Sequence, residues 1–281
     1  MNNRNKEEKV RQINKKILLL DFVIVAGILA LIFSGVGYLK EELIATAAAT
    51  SYTEVAEKAV SPERDSVNFS VVHSAGSTAT SWIYIPGTKI DYPLVQGPDN
   101  DLYLDTDAYG NKSTAGAIFI NFANAADMSD AKTVIFGHNM SDETMFTDLH
   151  KYSDEDFGQI HQDAYIYMEN GDVKHYKLRY YLFTEPLNPT VYVVSKADVA
   201  AEEAANLASE AKIVYGEHTG GNLICLSTCT MHKYRTVVVF EYVDNKKPIM
   251  GAAGYEQSLE GGSLSSTEET ASESTAEVSA E

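Results

Sequence analysis

Residues 17–39 form an apolar run of 23 residues whose only charge is Asp21. A bilayer core needs about 20 apolar residues in a helix, so the run predicts a transmembrane anchor that confines everything after it to one side of the membrane. Before it stand Arg4, Lys6, Lys9, Arg11, Lys15 and Lys16 against Glu7 and Glu8. A Lys/Arg excess marks the cytoplasmic face, which predicts residues 1–16 inside the cell and the bulk of the chain outside. A cleaved signal peptide is the competing reading, with small residues at 45–49 for a peptidase. The apolar core exceeds the roughly 7–15 residues of such a signal, and a single-pass, uncleaved anchor in the cell membrane is favoured.

The chain of 281 residues has a net charge of −18, and seven of those charges come from glutamates in residues 251–281, where no Lys or Arg occurs. Residues 40–250 still carry 16 Lys and Arg against 30 Asp and Glu, a net of −14. Repulsion from phosphate excludes nucleic acid as a partner. The tail, taken as residues 246–281, is poor in residues that could fill a core and is expected to be acidic and disordered.

Residues 40–80 read as a helical stalk and N-terminal segment: Leu43, Ile44, Val55 and Ala59 are loosely spaced for a helix, with a solvated stalk as the alternative. From Trp82 the pattern changes to short apolar or alternating runs broken by Pro86-Gly87, Gly97-Pro98, Gly110-Asn111 and Asn170-Gly171-Asp172. That is the pattern of strands and turns, and residues 81–245 are expected to form one mainly β domain. Expected strands cover residues 82–85, 117–120, 132–136, 164–169, 173–184, 222–228 and 236–242. Asn170-Gly171 reads as a hairpin turn, because both residues tolerate positive φ. One helix interrupts the series, with Ser195 and Asp198 as a capping pair ahead of Val199, Ala204, Leu207, Ala208 and Ala211.

The chain has two cysteines, Cys225 and Cys229. In an extended strand, residues four apart lie about 13 Å from each other, beyond the roughly 7 Å limit for a disulfide. An unpaired thiol in an exported protein points to thiol chemistry, and Cys229 is the candidate nucleophile. A thiol with a free pKa of about 8.5 needs a base or a positive charge nearby to act at neutral pH. His138, in Gly137-His138-Asn139-Met140 after an apolar strand, is the candidate partner. Arg235, six residues past Cys229, is permanently charged and its planar fork suits a developing oxyanion better than Lys233 would.

Together the strand 133–136 leading to His138, the strand 223–228 leading to Cys229, and Arg235 resemble a sortase, most closely of class B. The resemblance runs from about residue 82 to 243. It includes Trp82-Ile83-Tyr84-Ile85-Pro86-Gly87-Thr88, Asp91-Tyr92-Pro93-Leu94-Val95-Gln96, Gly116-Ala117-Ile118-Phe119, and the stretch from His138 through Asp142, Met145-Phe146 and Leu149. The inserted helix fits class B, whereas the five residues between Cys229 and Arg235 make a shorter loop than many class B members have.

The resemblance implies a closed β-barrel with an inserted helix and an N-terminal helical segment, preceded by the transmembrane helix. It implies a cysteine transpeptidase of the Gram-positive cell surface with Cys229 as nucleophile, His138 as general acid and base, and Arg235 as oxyanion or substrate clamp. The implied substrates are secreted proteins bearing a C-terminal, Asn-Pro-x-Thr-like sorting signal, and the implied acceptor is a cell-wall amine. Ser227, Thr228 and Tyr192 are candidates for the substrate groove. No cofactor is expected, and His73, His150, His161, His175 and His218 show no metal-ligand spacing, so no metal is assigned. Each residue also has a plainer reading: Cys229 as an inert thiol like Cys225, His138 as a turn histidine with His232 as rival base, Arg235 as an ion-pair partner. A hydrolytic cysteine peptidase and a non-catalytic surface module are the alternative functions.

Overall fold

The computed structural model describes residues 3–194, 199–230 and 233–248. The capping pair Ser195 and Asp198, the rival base His232 and the acidic tail from residue 249 onward lie outside the described residues; Cys229 is described by its backbone.

The chain begins with one long helix, α1 (Asn3–Ala59). Its segment Phe22–Lys40 is long and apolar enough to cross a membrane, and none of it is buried against the protein. The far end of α1 packs on the domain through Ala48, Tyr52, Val55 and Ala59. These recur at intervals of three and four, so they share one helix face. Leu43, expected on that face, is 70% exposed. A short helix, α2 (Phe69–Ser74), follows, capped by Asn68, whose side chain accepts from the Ser70 amide.

Nine strands follow: β1 (Ser81–Tyr84), β2 (Asp91–Gln96), β3 (Ile118–Ile120), β4 (Lys132–Phe136), β5 (Asp163–Met168), β6 (Val173–Thr184), β7 (Ile213–Val214), β8 (Leu223–Thr230) and β9 (Tyr234–Asp244). Short helices α3 (Glu155–Ile160), α4 (Pro189–Tyr192) and α5 (Ala200–Glu210) lie between them. The strand order is β5-β1-β2-β3-β4-β8-β9-β6-β7, and β5 also pairs with β6. That extra pairing closes eight strands into a barrel and leaves only the two-residue β7 outside the ring. Pairs β2–β3 and β4–β8 are parallel, and the others are antiparallel.

The expected strands are all present, residues 132–136 and 173–184 with the expected ends and the others with shifted ends. Residues 91–96 were not among them, yet they form β2 in the middle of the sheet; Pro93 lacks an amide donor and weakens the strand signal there. Its pairing to β3 starts only at Leu94, past the proline. The β5–β6 turn forms at Asn170-Gly171, but only Gly171 adopts positive φ, at 93°. The Gly171 amide donates to the Met168 carbonyl at 3.0 Å and the Met168 amide to the Asp172 carbonyl at 2.8 Å. The turn is therefore one with a single left-handed residue at its end, so Asn170 needs no unusual conformation. The inserted helix starts at Ala200 with Val199 in the capping position and no side-chain cap.

Because side chains alternate along a strand, β4, β6, β8 and β9 bury both faces. Inside the barrel, Ile135, Leu178, Ile224, Leu226, Val238 and Phe240 pack with Phe146, Leu149 and Tyr152. On the outside, Val134, Tyr180, Leu182, Cys225, Val237 and Val239 meet Val191 of α4 and Ala204 and Leu207 of α5. One ion pair ties that outer layer down: Lys132 Nζ lies 2.6 Å from Glu203 Oε2 of α5, with side chains 1% and 14% exposed, and 2.5 Å from the Thr190 carbonyl of α4. Removing one member of a buried pair strands the other charge. Glu203→Ala is expected to cost about 3 kcal/mol in chemical denaturation of the full chain in detergent, whereas the double replacement Lys132→Met with Glu203→Leu is expected to be near neutral.

Candidate active site

The parallel β4–β8 ladder sets the geometry of the site. Its register runs from Lys132↔Leu223 to Phe136↔Ser227, and the Gly137 amide continues it by donating to the Ser227 carbonyl at 3.2 Å. In parallel strands both chains travel the same way, so His138 and Cys229, each two residues past the Phe136↔Ser227 pair, arrive at the same rim. On the other side of β8, Cys229 is in register with Arg235 of β9. Three neighbouring strands thus bring the predicted triad to one edge. Cys229 lies within the last pairs of β8, not beyond its end, because β8 and β9 stay paired as far as Thr230↔Tyr234.

Gly137, just before His138, is packed too closely to carry a side chain. A Cβ there would stand 2.4 Å from Ile118 Cδ1 and 2.7 Å from the Phe146 ring, closer than atoms can approach. His138 then lies half-buried, with Nε2 2.8 Å from the Leu104 carbonyl. A carbonyl only accepts, so Nε2 carries the hydrogen and donates. In the neutral ring Nδ1 is then the nitrogen without a hydrogen.

A cleft of about 410 Å³ opens at this rim, lined by His138, Arg235, Ser227, Thr228 and Tyr192. All five predicted residues whose side chains are described therefore face one cavity. Arg235 is partly exposed and its Nη1 donates to its neighbour's carbonyl, Tyr234 O, at 3.2 Å. The Tyr192 hydroxyl lies 2.8 Å from Ser227 Oγ, and the Tyr192 ring stacks on Phe136 at 6.0 Å and 12°. Thr228 is 1% exposed, and its Oγ1 has no hydrogen-bond partner among the described residues. A buried hydroxyl without a partner costs free energy that a ligand's polar group could recover.

Sequence reasoning missed much of the lining: Asn100, Asp101, Leu104, Phe119, Asn121, Phe136 and Leu187 also line the cleft. Asn100 Nδ2 donates to Asn121 Oδ1 at 3.3 Å and its Oδ1 accepts from the Phe122 amide at 3.0 Å. The available signal was the polar cluster Asn100-Asp101 directly after the turn residues Gly97-Pro98. It marks a loop but carries no information about which strand that loop crosses.

A family model described as the Sortase domain matches residues 83–243, more than half of the chain. The chain belongs to the sortase family. It is 46% identical over 80 residues to sortase B of Listeria monocytogenes, covering 28% of this chain and 32% of that protein. It is 31% identical over 94 residues to sortase B of Staphylococcus aureus, covering 34% of this chain and 38% of that protein. These stretches span about a third of the relatives' lengths, 32% and 38%. The X-ray structure of Clostridium perfringens sortase B superposes with a TM-score of 0.57 at 25% identity, over 63% of this chain and all of that one. Among sortases the likeness is to class B.

Cys225, the second thiol, sits in the covered outer layer at 0% exposure, and burial pushes its pKa up to about 12. Burial disfavours the thiolate, so Cys225 stays neutral and unreactive at all ordinary pH values. Iodoacetamide treatment of the native chain near pH 8 is expected to leave Cys225 unmodified, and denaturation to expose it, as read by peptide mass mapping. Labelling of Cys225 in the folded protein would contradict this placement.

Proposed function

We propose that the protein is a membrane-anchored cysteine transpeptidase that attaches secreted proteins to the cell surface. The observation that supports it most is the β4–β8–β9 register, which sets His138, Cys229 and Arg235 on adjoining strand ends. In the proposed cycle, the Cys229 thiolate attacks the carbonyl carbon of the threonine in an Asn-Pro-x-Thr-like sorting signal. The resulting oxyanion is met by Arg235, a fixed positive charge that gains most when charge develops in a site shielded from water. The peptide C–N bond breaks, and protonated His138 gives its proton to the departing amine. A thioester remains on Cys229. An amine of the cell-wall peptide then attacks the thioester, His138 takes the proton it sheds, and the thiolate is released.

The cleft fits an extended peptide: Phe119, Phe136, Tyr192 and Leu104 offer apolar surface, while Asn100, Ser227 and Thr228 offer polar atoms. Few polar groups within an apolar wall set the orientation of a ligand more than its affinity. The apolar segment of α1 and the basic residues before it support anchoring with the N-terminus in the cytoplasm and the barrel outside.

The test is a fluorescent sorting peptide incubated with the full chain in detergent, with and without an amine acceptor. Wild type is expected to yield an amine-dependent product and an acyl-enzyme on Cys229 detectable by mass spectrometry. Cys229→Ala is expected to abolish both, and Arg235→Lys to lower kcat about a hundredfold with a smaller change in KM. Peptide cleavage that ignores the amine would favour a hydrolase instead, and a rate unchanged by Cys229→Ala would exclude thioester chemistry.

A further inference from the structure

The membrane-linked helix reaches the histidine through one side chain. Tyr52, on the packed end of α1, is 3% exposed. Its hydroxyl donates to the Gly116 carbonyl at 3.0 Å and accepts from the Ala108 amide at 2.9 Å. Both partners belong to the loop that supplies the Leu104 carbonyl to His138 Nε2.

Gly116 lies against that contact. It has φ of +58°, and a Cβ placed on it would stand 2.4 Å from the Tyr103 carbonyl oxygen, 3.0 Å from the Leu104 carbonyl oxygen and 3.1 Å from His138 Cδ2. The residue whose carbonyl Tyr52 holds therefore lies beside the imidazole and its hydrogen-bond acceptor, with no room for a side chain between them.

A second route leads to the other flank of the histidine. The Tyr52 ring meets Tyr92 edge-to-face, with centroids 5.3 Å apart and planes at 88°. The Tyr92 hydroxyl accepts from the Met145 amide at 3.0 Å. Met145 is held at φ of +57°, a conformation that costs a non-glycine residue about 1 kcal/mol or more and persists only where neighbours enforce it. The next amide, Phe146 N, donates to the His138 carbonyl at 3.0 Å.

We propose that Tyr52 is a positioning residue for His138, clamping the loops on both flanks so that the seating of α1 on the barrel sets the orientation of the imidazole. The inference rests on the transpeptidase reading above. A tyrosine serving only the core needs one partner for its hydroxyl. Tyr52 has two, both in the loop that carries the acceptor of the imidazole. Burial raises the Tyr52 pKa far above the usual tyrosine range, so the hydroxyl remains a donor throughout.

The experiment uses the full chain in detergent, the fluorescent sorting peptide, and single-turnover acylation alongside steady-state kinetics. Tyr52→Phe keeps the ring contacts and removes both hydrogen bonds; it is expected to lower kcat and the acylation rate about tenfold with KM unchanged. In a His138→Ala background the same change is expected to have no further effect, because Tyr52 acts through the imidazole. Tyr92→Phe removes the acceptor for Met145 while α1 keeps its own bonds, and is expected to give a similar kcat-selective loss; it decides the matter if Tyr52→Phe does not fold. An unchanged kcat in a folded Tyr52→Phe, or an equal loss in both backgrounds, would overturn the inference. A wild-type rate no higher than that of Cys229→Ala would overturn the transpeptidase reading and the inference with it. A Cys229-dependent rate that is insensitive to Tyr52→Phe would overturn the inference alone.

Discussion

The parallel pairing of β4 with β8 is the constraint on which the site depends. Parallel neighbours run in one direction, so residues equally far along each emerge at the same end of the barrel. The register Phe136↔Ser227 therefore carries His138 and Cys229 to one rim although they are 91 residues apart in sequence. A slip of one residue would turn every β8 side chain to the opposite face. The barrel resists such a slip because both faces of β8 are buried: Ile224 and Leu226 inside, Leu223 and Cys225 under the helices. Burial on two sides thus stabilises the fold and also sets the alignment of the chemistry.

The two cysteines differ in their position along β8. Cys225 lies midway along β8, where Ala204 and Leu207 of α5 cover the sheet, and its thiol is confined to the neutral form. Cys229 stands at the end of the strand, across from Arg235, and its neighbours Ser227 and Thr228 line the cleft. The helical layer above β4 and β8 is held by the Lys132–Glu203 pair, and it also delivers Tyr192 to Ser227. One device thereby covers the inert thiol and shapes a wall of the cleft.

Much of this was legible in the sequence. The strand pattern, the apolar N-terminal run and the choice of His138, Cys229 and Arg235 as candidates follow from local periodicity, cysteine spacing and the resemblance. The contributions that escaped notice depend on relations between distant segments. β2 was obscured by Pro93, whose position just before the β3 pairing is a tertiary fact. Asn100 and Leu104 enter the cleft because the loop between β2 and β3 meets Asn121 after β3 and His138 after β4, and no local pattern encodes such a crossing. Tyr52 lay in a segment whose expected helix positions were Leu43, Ile44, Val55 and Ala59; Val55 and Ala59 do pack on the domain, but Ala48 and Tyr52 complete that face and Leu43 is exposed; small and aromatic residues on a helix face signal packing less clearly than leucine does.

The most direct measurement of the central claim is cross-linking across the parallel pair. Neighbouring strands lie about 4.8 Å apart, within the limit of about 7 Å between Cα atoms that a disulfide can bridge. After mild oxidation of the His138→Cys variant, peptide mass mapping is predicted to find position 138 joined to Cys229, with Cys225 still reduced. Failure to form that bridge in the folded protein, or a bridge to Cys225 instead, would contradict the register from which the whole site is built.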